Sequence, residues 1–259
     1  MDMLHSLILG IVEGITEFLP ISSTAHMVLA AKVMGLTESD FIKSFEIIIQ
    51  FGAILSVVVL YWRRFLVDFE SLKRVLAAFI PTAIIGFLLY KLIKTYLINS
   101  EPIIVWALVL GGIILIAFEL FHKEKSDAVE DISKIPYSKC VAIGLFQSLA
   151  IFPGVSRSAA TIIGGLTLNL RRATIVEFSF LLAVPTMLAA SVLDLLKSGS
   201  SFSASQFGVL GLGFAVSFVV ALLSIKFLIN YIKKHTFIPF GVYRIVIGLA
   251  FMASMYLGR

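Results

Sequence analysis

Residues 13–26 read EGITEFLPISSTAH and interrupt an apolar segment near the N-terminus with carboxylates, a proline, hydroxyls and a histidine. A second break, PGVSRS at residues 153–158, interrupts another apolar segment in the second half of the chain. Each apolar piece beside a break is about 12–16 residues long, whereas a helix needs about 20 residues to cross a bilayer. We therefore expect each break to join two half-helices into a re-entrant pair.

Six longer apolar stretches are each sufficient to cross a bilayer as a helix. They cover residues 45–62, 75–93, 102–121, 175–196, 207–230 and 238–257. The composition agrees, because 59% of the 259 residues are apolar and only 14% are charged. Soluble domains have about a quarter charged residues, and disordered chains have the opposite bias. The sequence predicts an all-α polytopic membrane protein with six transmembrane helices and two re-entrant helix pairs.

The two halves of the chain follow the same plan of half-helix, break, half-helix and three spans. They cover about residues 1–122 and 136–259, are joined by a polar loop at about 122–139, and form a single membrane domain. Because three spans is an odd number, the second half must be inverted relative to the first. Inverted repeats with broken helices usually have their functional site near the midplane, where the breaks meet.

Loop charges predict the orientation of these helices. Twelve lysines and arginines are expected on one side, namely Arg63, Arg64, Lys73, Arg74, Lys123, Lys125, Lys134, Lys139, Arg171, Arg172, Lys233 and Lys234. The other side has Lys43, Lys91, Lys94, Lys197 and Arg259. The richer side is predicted to be cytoplasmic, so both termini and the opening at the first break should face outwards. These loops also explain the net charge of +5, and the absence of a basic stripe with interleaved aromatic residues excludes nucleic-acid binding.

Two carboxylates at membrane depth are functional candidates, because burying one costs about 2.5–3.5 kcal/mol. Glu13 and Glu17 are four residues apart and share one face of the first half-helix. They repel each other unless one is protonated or a cation bridges them. A divalent cation, Mg²⁺ or Ca²⁺, would fit between them together with a phosphate. Alternatively, Glu17 pairs with Arg157 and only holds the two breaks together.

Hydroxyls follow the proline of the first break, at Ser22, Ser23 and Thr24. They can cap the second half-helix, or its free N–H groups can bind a phosphate beside them. Ser23 and His26 are three residues apart and share a helix face. His26 could therefore accept the serine proton or protonate a leaving group.

The second break supplies a cation and further hydroxyls. Arg157 lies between Ser156 and Ser158, and Thr161 follows one turn later. A guanidinium can bind phosphate oxygens in a bidentate manner, so these residues are candidate phosphate ligands. Carboxylates, hydroxyls, an imidazole and an arginine are typical of phosphoryl transfer. A lipid-phosphate or anion transporter, or a flippase, on the same inverted frame is the alternative.

These motifs resemble those of the bacterial undecaprenyl-diphosphate phosphatases, the bacitracin-resistance protein family. Residues 13–26 resemble the first signature and residues 152–161, FPGVSRSAAT, resemble the second. The resemblance continues through FSFLLAVP at 178–185 and FIPFGVYR at 237–244, so it covers essentially the whole chain. The family implies hydrolysis of undecaprenyl diphosphate to undecaprenyl phosphate, which recycles the lipid carrier of cell-wall peptidoglycan synthesis and confers bacitracin resistance.

The resemblance also implies roles for individual residues. Glu13 and Glu17 correspond to the acidic pair, Ser23 to the proposed nucleophile, His26 to the histidine of the first signature and Arg157 to the phosphate-binding arginine. The family is associated with dependence on a divalent cation. Attack by Ser23, assisted by His26 or Glu17, and direct attack by a water that Glu17 activates both remain open.

The resemblance further implies a location and partners. The protein is expected in the bacterial cytoplasmic (inner) membrane, with a polyprenyl diphosphate lipid as substrate, membrane lipids around it and a homodimer as a possible assembly. Two residues depart from the family pattern, since Ala25 and Ala159 replace glycines. Alanine suits a helix, and would fail only where positive φ or backbone contact with a ligand is needed.

Overall fold

A computed structural model describes residues 1–37, 39–97, 100–198 and 206–257. Within these ranges the chain forms α-helices, two short 3-10 segments and one isolated bridge, without any strand. The all-α prediction is confirmed. The helices are α1 Met3–Thr16, α2 Ser23–Val33, α3 Asp40–Leu60, α4 Trp62–Leu66, α5 Phe69–Tyr96, α6 Glu101–Phe121, α7 Tyr137–Ser148, α8 Arg157–Thr167, α9 Arg172–Ser198, α10 Phe207–Tyr231 and α11 Ile238–Leu257.

Six of these helices are long and apolar enough to cross a membrane, and they correspond to the six predicted spans: α3, α5, α6, α9, α10 and α11. The largest differences are at the starts of α5 and α3, which were predicted at 75–93 and 45–62 and begin six and five residues earlier. The Ser39 side chain accepts a hydrogen bond from the Ile42 amide, with 3.3 Å between Oγ and N. This N-cap extends the helix over residues 40–44, a segment that contains charged as well as apolar side chains. A turn at Tyr61 then separates α3 from the short helix α4.

Both breaks join helices that are too short to cross a bilayer. The pair α1 and α2 has 14 and 11 residues, and the pair α7 and α8 has 12 and 11. Helix α1 packs on α10 and helix α7 on α5, so the first half-helix of each pair lies against a span of the other half. These contacts need glycine: a Cβ on Gly14 would lie 2.7 Å from the Val220 Cβ, and one on Gly144 would lie 2.0 Å from the Ala78 carbonyl oxygen.

The interior is apolar and centred where the breaks approach α9. Phe18 of the first break and Phe180 of α9 are fully buried, with ring centroids 5.5 Å apart in an edge-to-face arrangement. Large apolar side chains also point outwards from the spans, among them Phe87, Trp106 and Ile114. An outer surface of this kind suits lipid rather than water.

Arg244 of α11 connects the two breaks inside the protein. Its side chain is 1% exposed and donates to the carbonyl oxygens of Pro20 at 3.3 Å and Gly154 at 3.3 Å. Two further bonds reach the carbonyls of Ala107 and Leu108 in α6, at 3.0 and 3.3 Å. A buried guanidinium needs such acceptors, and here they fix the first break, the second break and α6 relative to one another.

The predicted polar loop between the halves contacts the start of α9 through the isolated bridge between Val129 and Leu170. The end of α6 is held to the same region, because Glu119 of α6 makes a bidentate ion pair with Arg172 of α9. Within the loop, the Ser133 amide donates to Asp131 and lowers the pKa of that carboxyl group. Of the five cations predicted on the outer side, Arg259 lies outside the described residues.

Candidate active site

The structure brings the two breaks into direct contact. The Ser158 hydroxyl donates to the Phe18 carbonyl oxygen at 2.9 Å, across 140 residues of sequence. The carboxylate of Glu17 lies 3.4 Å from the guanidinium of Arg157, and both side chains are largely buried. The pairing of Glu17 with Arg157 that the sequence suggested is therefore present. Residues from both signatures form one site.

In the part of the chain that the structure describes, the first break leaves the start of α2 without a side-chain cap. Helix α1 ends at Thr16, and the chain then turns until Ser22, whose φ of 75° lies in the left-handed region that non-glycine residues avoid. Ser22 is the N-cap residue of α2, but its side chain makes no capping bond within the described structure. Its hydroxyl is buried without a partner among the described residues. Such local strain is typical of functional sites, and the first N–H groups of α2 stay available for an anion.

Glu17 holds the hydroxyl of Ser23. The Ser23 Oγ donates to Glu17 Oε2 at 2.6 Å, a short charge-assisted hydrogen bond. The other oxygen, Oε1, faces Arg157. Glu17 thus lies between a nucleophile candidate and a cation, and it is positioned to accept the serine proton.

His26 turns away from Ser23. Its Nδ1 lies 2.7 Å from the Ser22 carbonyl oxygen, and its Nε2 lies 2.9 Å from the Tyr243 hydroxyl. In this geometry Glu17, rather than His26, is the base within hydrogen-bonding reach of Ser23. In the sequence, Tyr243 is part of the 237–244 motif, and no local pattern links it to His26, which lies 217 positions earlier.

Glu13 offers an unpartnered carboxylate oxygen. Its side chain is buried, and Oε1 has no hydrogen-bond partner among the described residues. The carboxyl groups of Glu13 and Glu17 interact, and Glu46 adds negative charge close to Glu13. The described residues contain no group of three or more His, Cys, Asp or Glu side chains arranged to hold a metal. Two carboxylates fit a hard divalent ion whose other ligands are phosphate oxygens and water, as is usual for Mg²⁺.

Arg157 retains hydrogen-bonding capacity at the first residue of α8. Its Nη1 donates to the Ser179 carbonyl at 2.9 Å, while its buried Nε has no partner among the described atoms. The Ser179 hydroxyl beside it is also buried and unpartnered there. These groups can receive phosphate oxygens. In the sequence, Ser179 belongs to the 178–185 stretch of the resemblance, but it was given no role because it is a single polar residue within an apolar span.

The remaining predicted phosphate ligands are mostly occupied within the protein. The Ser156 hydroxyl, predicted as a phosphate ligand, accepts from the Ala159 amide at 3.2 Å and caps α8. The Thr161 hydroxyl donates to the Arg157 carbonyl at 2.9 Å, and Ser158 is bonded to Phe18 as described. Thr24 is exposed at the start of α2. Phosphate contacts by these four residues stay predictions.

The two alanines that replace family glycines fit their positions. Ala25 lies in α2 and Ala159 in α8, and both side chains are buried. Among the described non-glycine residues, positive φ occurs only at Ser22 and Asn169. Neither alanine is therefore strained in its backbone.

Comparisons with known proteins agree with this arrangement. A family model described as "Bacitracin resistance protein BacA" matches residues 6–250. The undecaprenyl-diphosphatase of Aquifex aeolicus is 54% identical over 96% of this chain and 97% of its own length. Those of Sulfurihydrogenibium sp. and Bdellovibrio bacteriovorus are 52% and 48% identical, over 97% and 100% of this chain and 98% of each relative. With its two signatures meeting at one buried site, the chain belongs to the bacitracin resistance protein BacA family.

Proposed function

We propose that this protein hydrolyses undecaprenyl diphosphate to undecaprenyl phosphate and inorganic phosphate. The observation that carries the proposal is Glu17, which binds the Ser23 hydroxyl with one oxygen and faces the Arg157 guanidinium with the other. A base, a nucleophile candidate and a phosphate-binding cation in contact are what phosphoryl transfer requires. The name undecaprenyl-diphosphatase, carried by relatives over nearly the full chain, supports the choice of substrate.

The phosphate groups would bind between the two breaks. The open N-terminus of α2 and the Ser22 hydroxyl provide donors on one side, and Arg157 provides a buried N–H and positive charge on the other. The polyprenyl tail would lie against apolar span surfaces, outside the polar site. This division matches the amphipathic shape of a lipid diphosphate.

The reaction would begin with proton transfer from Ser23 to Glu17. The Ser23 oxygen attacks the terminal phosphorus while the bond to the bridging oxygen breaks, and undecaprenyl phosphate leaves as an anion. Glu17 gives the serine proton to the departing bridging oxygen, then accepts a proton from the water that attacks the phosphoserine, and returns this proton to the Ser23 oxygen as inorganic phosphate leaves. Direct attack by a water that Glu17 activates would use the same contacts, with Ser23 orienting the carboxylate.

Glu13 and Glu17 would hold a divalent cation, Mg²⁺ or Ca²⁺. When bound there, the cation would neutralise charge on the diphosphate. The unpartnered Oε1 of Glu13 supports this assignment, since a lone buried carboxylate oxygen is otherwise costly.

The direct test measures phosphate released from a polyprenyl diphosphate by detergent-purified protein, with Mg²⁺ or Ca²⁺ and with chelator. We expect metal-dependent release that Glu17→Gln abolishes. Glu101→Gln is a matched control, because Glu101 pairs with Lys32 at the surface, outside the candidate site. Absence of release from folded wild type would refute the proposal, and charge-dependent uptake into vesicles without phosphate release would favour the transporter.

We infer that the helix pairs are re-entrant and that the halves form an inverted repeat in the bacterial inner membrane. In the repeat, α1, α3, α5 and α6 of the first half correspond to α7, α9, α10 and α11 of the second half. The counterpart of the α1–α10 contact is therefore α7–α5, and the counterpart of α3–α10 is α9–α5. All four contacts occur. The contacts α6–α11 and α3–α9 each join a helix to its own counterpart in the other half. This exchange symmetry supports the inference.

Labelling with a membrane-impermeant thiol reagent in intact cells tests the orientation. With Cys140 replaced by Ala, cysteine at Thr37 is expected to react and cysteine at Lys125 is not. The reverse pattern would overturn the predicted outer position of the termini and of the site opening.

A further inference from the structure

The His26 ring is bonded at both nitrogens, which defines its tautomer. A carbonyl oxygen can only accept, so the Nδ1 atom that lies 2.7 Å from the Ser22 carbonyl carries the proton. In the neutral ring Nε2 then has a lone pair, and the Tyr243 hydroxyl at 2.9 Å must donate to it. The partners on the two sides therefore specify the same protonation state.

The Nδ1–H bond acts on the strained turn of the first break. The Ser22 carbonyl accepts both from the His26 side chain and from the His26 amide, the latter at 3.3 Å. This is the residue whose φ is 75° and whose turn leaves α2 uncapped toward the site. A non-glycine residue keeps such a conformation only when surrounding contacts hold it there.

Tyr243 is well placed to hold the histidine. It lies on α11 beside Arg244, which binds the Pro20 carbonyl two residues before Ser22. The rings of Tyr243 and His26 are nearly parallel, with centroids 5.5 Å apart and an interplanar angle of 6°. Tyr243 is 40% exposed, so its hydroxyl bond is not enforced by dense packing alone.

We propose that Tyr243 is a positioning residue for the phosphate site: its hydroxyl keeps His26 in the Nδ1–H tautomer, and His26 in turn holds the Ser22 turn open for phosphate. This inference rests on the proposed function for its catalytic consequence, but not for the tautomer itself. In the other tautomer a lone pair on Nδ1 would face the Ser22 carbonyl, and repulsion would turn the ring away. The Ser22 turn would then lose one of its two carbonyl bonds.

The variant Tyr243→Phe removes the hydroxyl and keeps the ring contact. We expect kcat for phosphate release to fall about tenfold, as for the loss of one buried hydrogen bond, with KM changed less than about twofold. In protein labelled with ¹⁵N-histidine, the His26 signal, assigned through His26→Gln, should move from the Nδ1–H pattern toward a mixture of tautomers. A residue with only a packing role would leave that signal unchanged.

Tyr231→Phe is a matched control, because this tyrosine also stacks on a histidine. The Tyr231 and His235 rings have centroids 4.5 Å apart, and His235 Nδ1 contacts the Tyr231 backbone carbonyl, so removing the hydroxyl leaves both contacts. Its kcat and histidine spectrum should equal those of the wild type.

An unchanged His26 signal in Tyr243→Phe would overturn the inference, whatever happens to the rate or the melting temperature. If wild type releases no phosphate, the proposed function fails, and the ¹⁵N signal still decides whether Tyr243 sets the tautomer.

Discussion

Replacing Arg244 by methionine tests whether the buried arginine fixes the two breaks. Methionine is apolar and unbranched and replaces the aliphatic part of the arginine side chain, so the substitution removes the four hydrogen bonds while keeping part of the packing. The carbonyls of Ala107 and Leu108 lie inside α6 and can keep their helical bonds. The main loss therefore falls on Pro20 and Gly154, whose carbonyls lie in the irregular breaks.

Each buried acceptor left without a donor costs about 1–3 kcal/mol. Removing the buried charge recovers part of this, because its own burial is unfavourable. We expect the free energy of unfolding to fall by about 3 kcal/mol. Activity should fall further than stability suggests, since a misplacement of about 1 Å between Glu17 and Arg157 can cost about 100-fold in rate.

Unfolding by a denaturing detergent, followed by circular dichroism, measures the stability, and phosphate release measures the activity. Arg63→Met is the matched control, because Arg63 is exposed and stacks on Trp62. It should change stability by less than about 0.5 kcal/mol. If Arg244→Met were as stable and as active as Arg63→Met, the account of Arg244 as the connection between the breaks would be wrong.

Three further variants follow from the contacts. Ser23→Ala should lower phosphate release about 10³-fold if the serine is the nucleophile; near-normal turnover would leave only direct water attack. Arg157→Lys should lower kcat/KM about 100-fold, because a single ammonium cannot reproduce the bidentate contacts of a planar guanidinium. An unchanged kcat/KM would show that Arg157 does not bind phosphate. Gly144→Ala should destabilise the protein by about 1–3 kcal/mol in detergent unfolding, since its Cβ meets the Ala78 carbonyl. At Gly86 an added Cβ would have no heavy atom within 4 Å, so Gly86→Ala should be neutral or slightly stabilising. Equal changes in stability for the two variants would contradict the close contact between α7 and α5.

Hydropathy was sufficient to predict the spans and breaks because both are local properties. The six apolar stretches could be read without any tertiary contact. The starts of α3 and α5 were predicted too late because the helices also include the segments 40–44 and 69–74, which contain charged residues. The contact of Glu17 with Arg157 could also be predicted, since a buried carboxylate and a buried arginine in matching breaks need each other.

Finer features of the site depend on packing between distant segments. Ser23 and His26 share a helix face, which made the histidine a reasonable base, yet its ring is drawn to the Ser22 carbonyl and to Tyr243. The positive φ of Ser22 has no signal in the sequence, because serine normally avoids that region. The sequence left His26 and Glu17 as alternative bases for Ser23, and the folded arrangement brings Glu17 within hydrogen-bonding distance of its hydroxyl.

The two oxygens of Glu17 suggest how substrate binding prepares the reaction. The bond to Ser23 is 2.6 Å and the contact with Arg157 is 3.4 Å, so without substrate the carboxylate is held more closely by the hydroxyl than by the cation. We expect a bound phosphate to bring negative charge to Arg157 and to compete with Glu17 for the guanidinium. The bond between Glu17 and Ser23 does not involve Arg157, so it can persist when the terminal phosphorus is in place. Substrate binding would thus leave the carboxylate in contact with the hydroxyl that it is proposed to deprotonate.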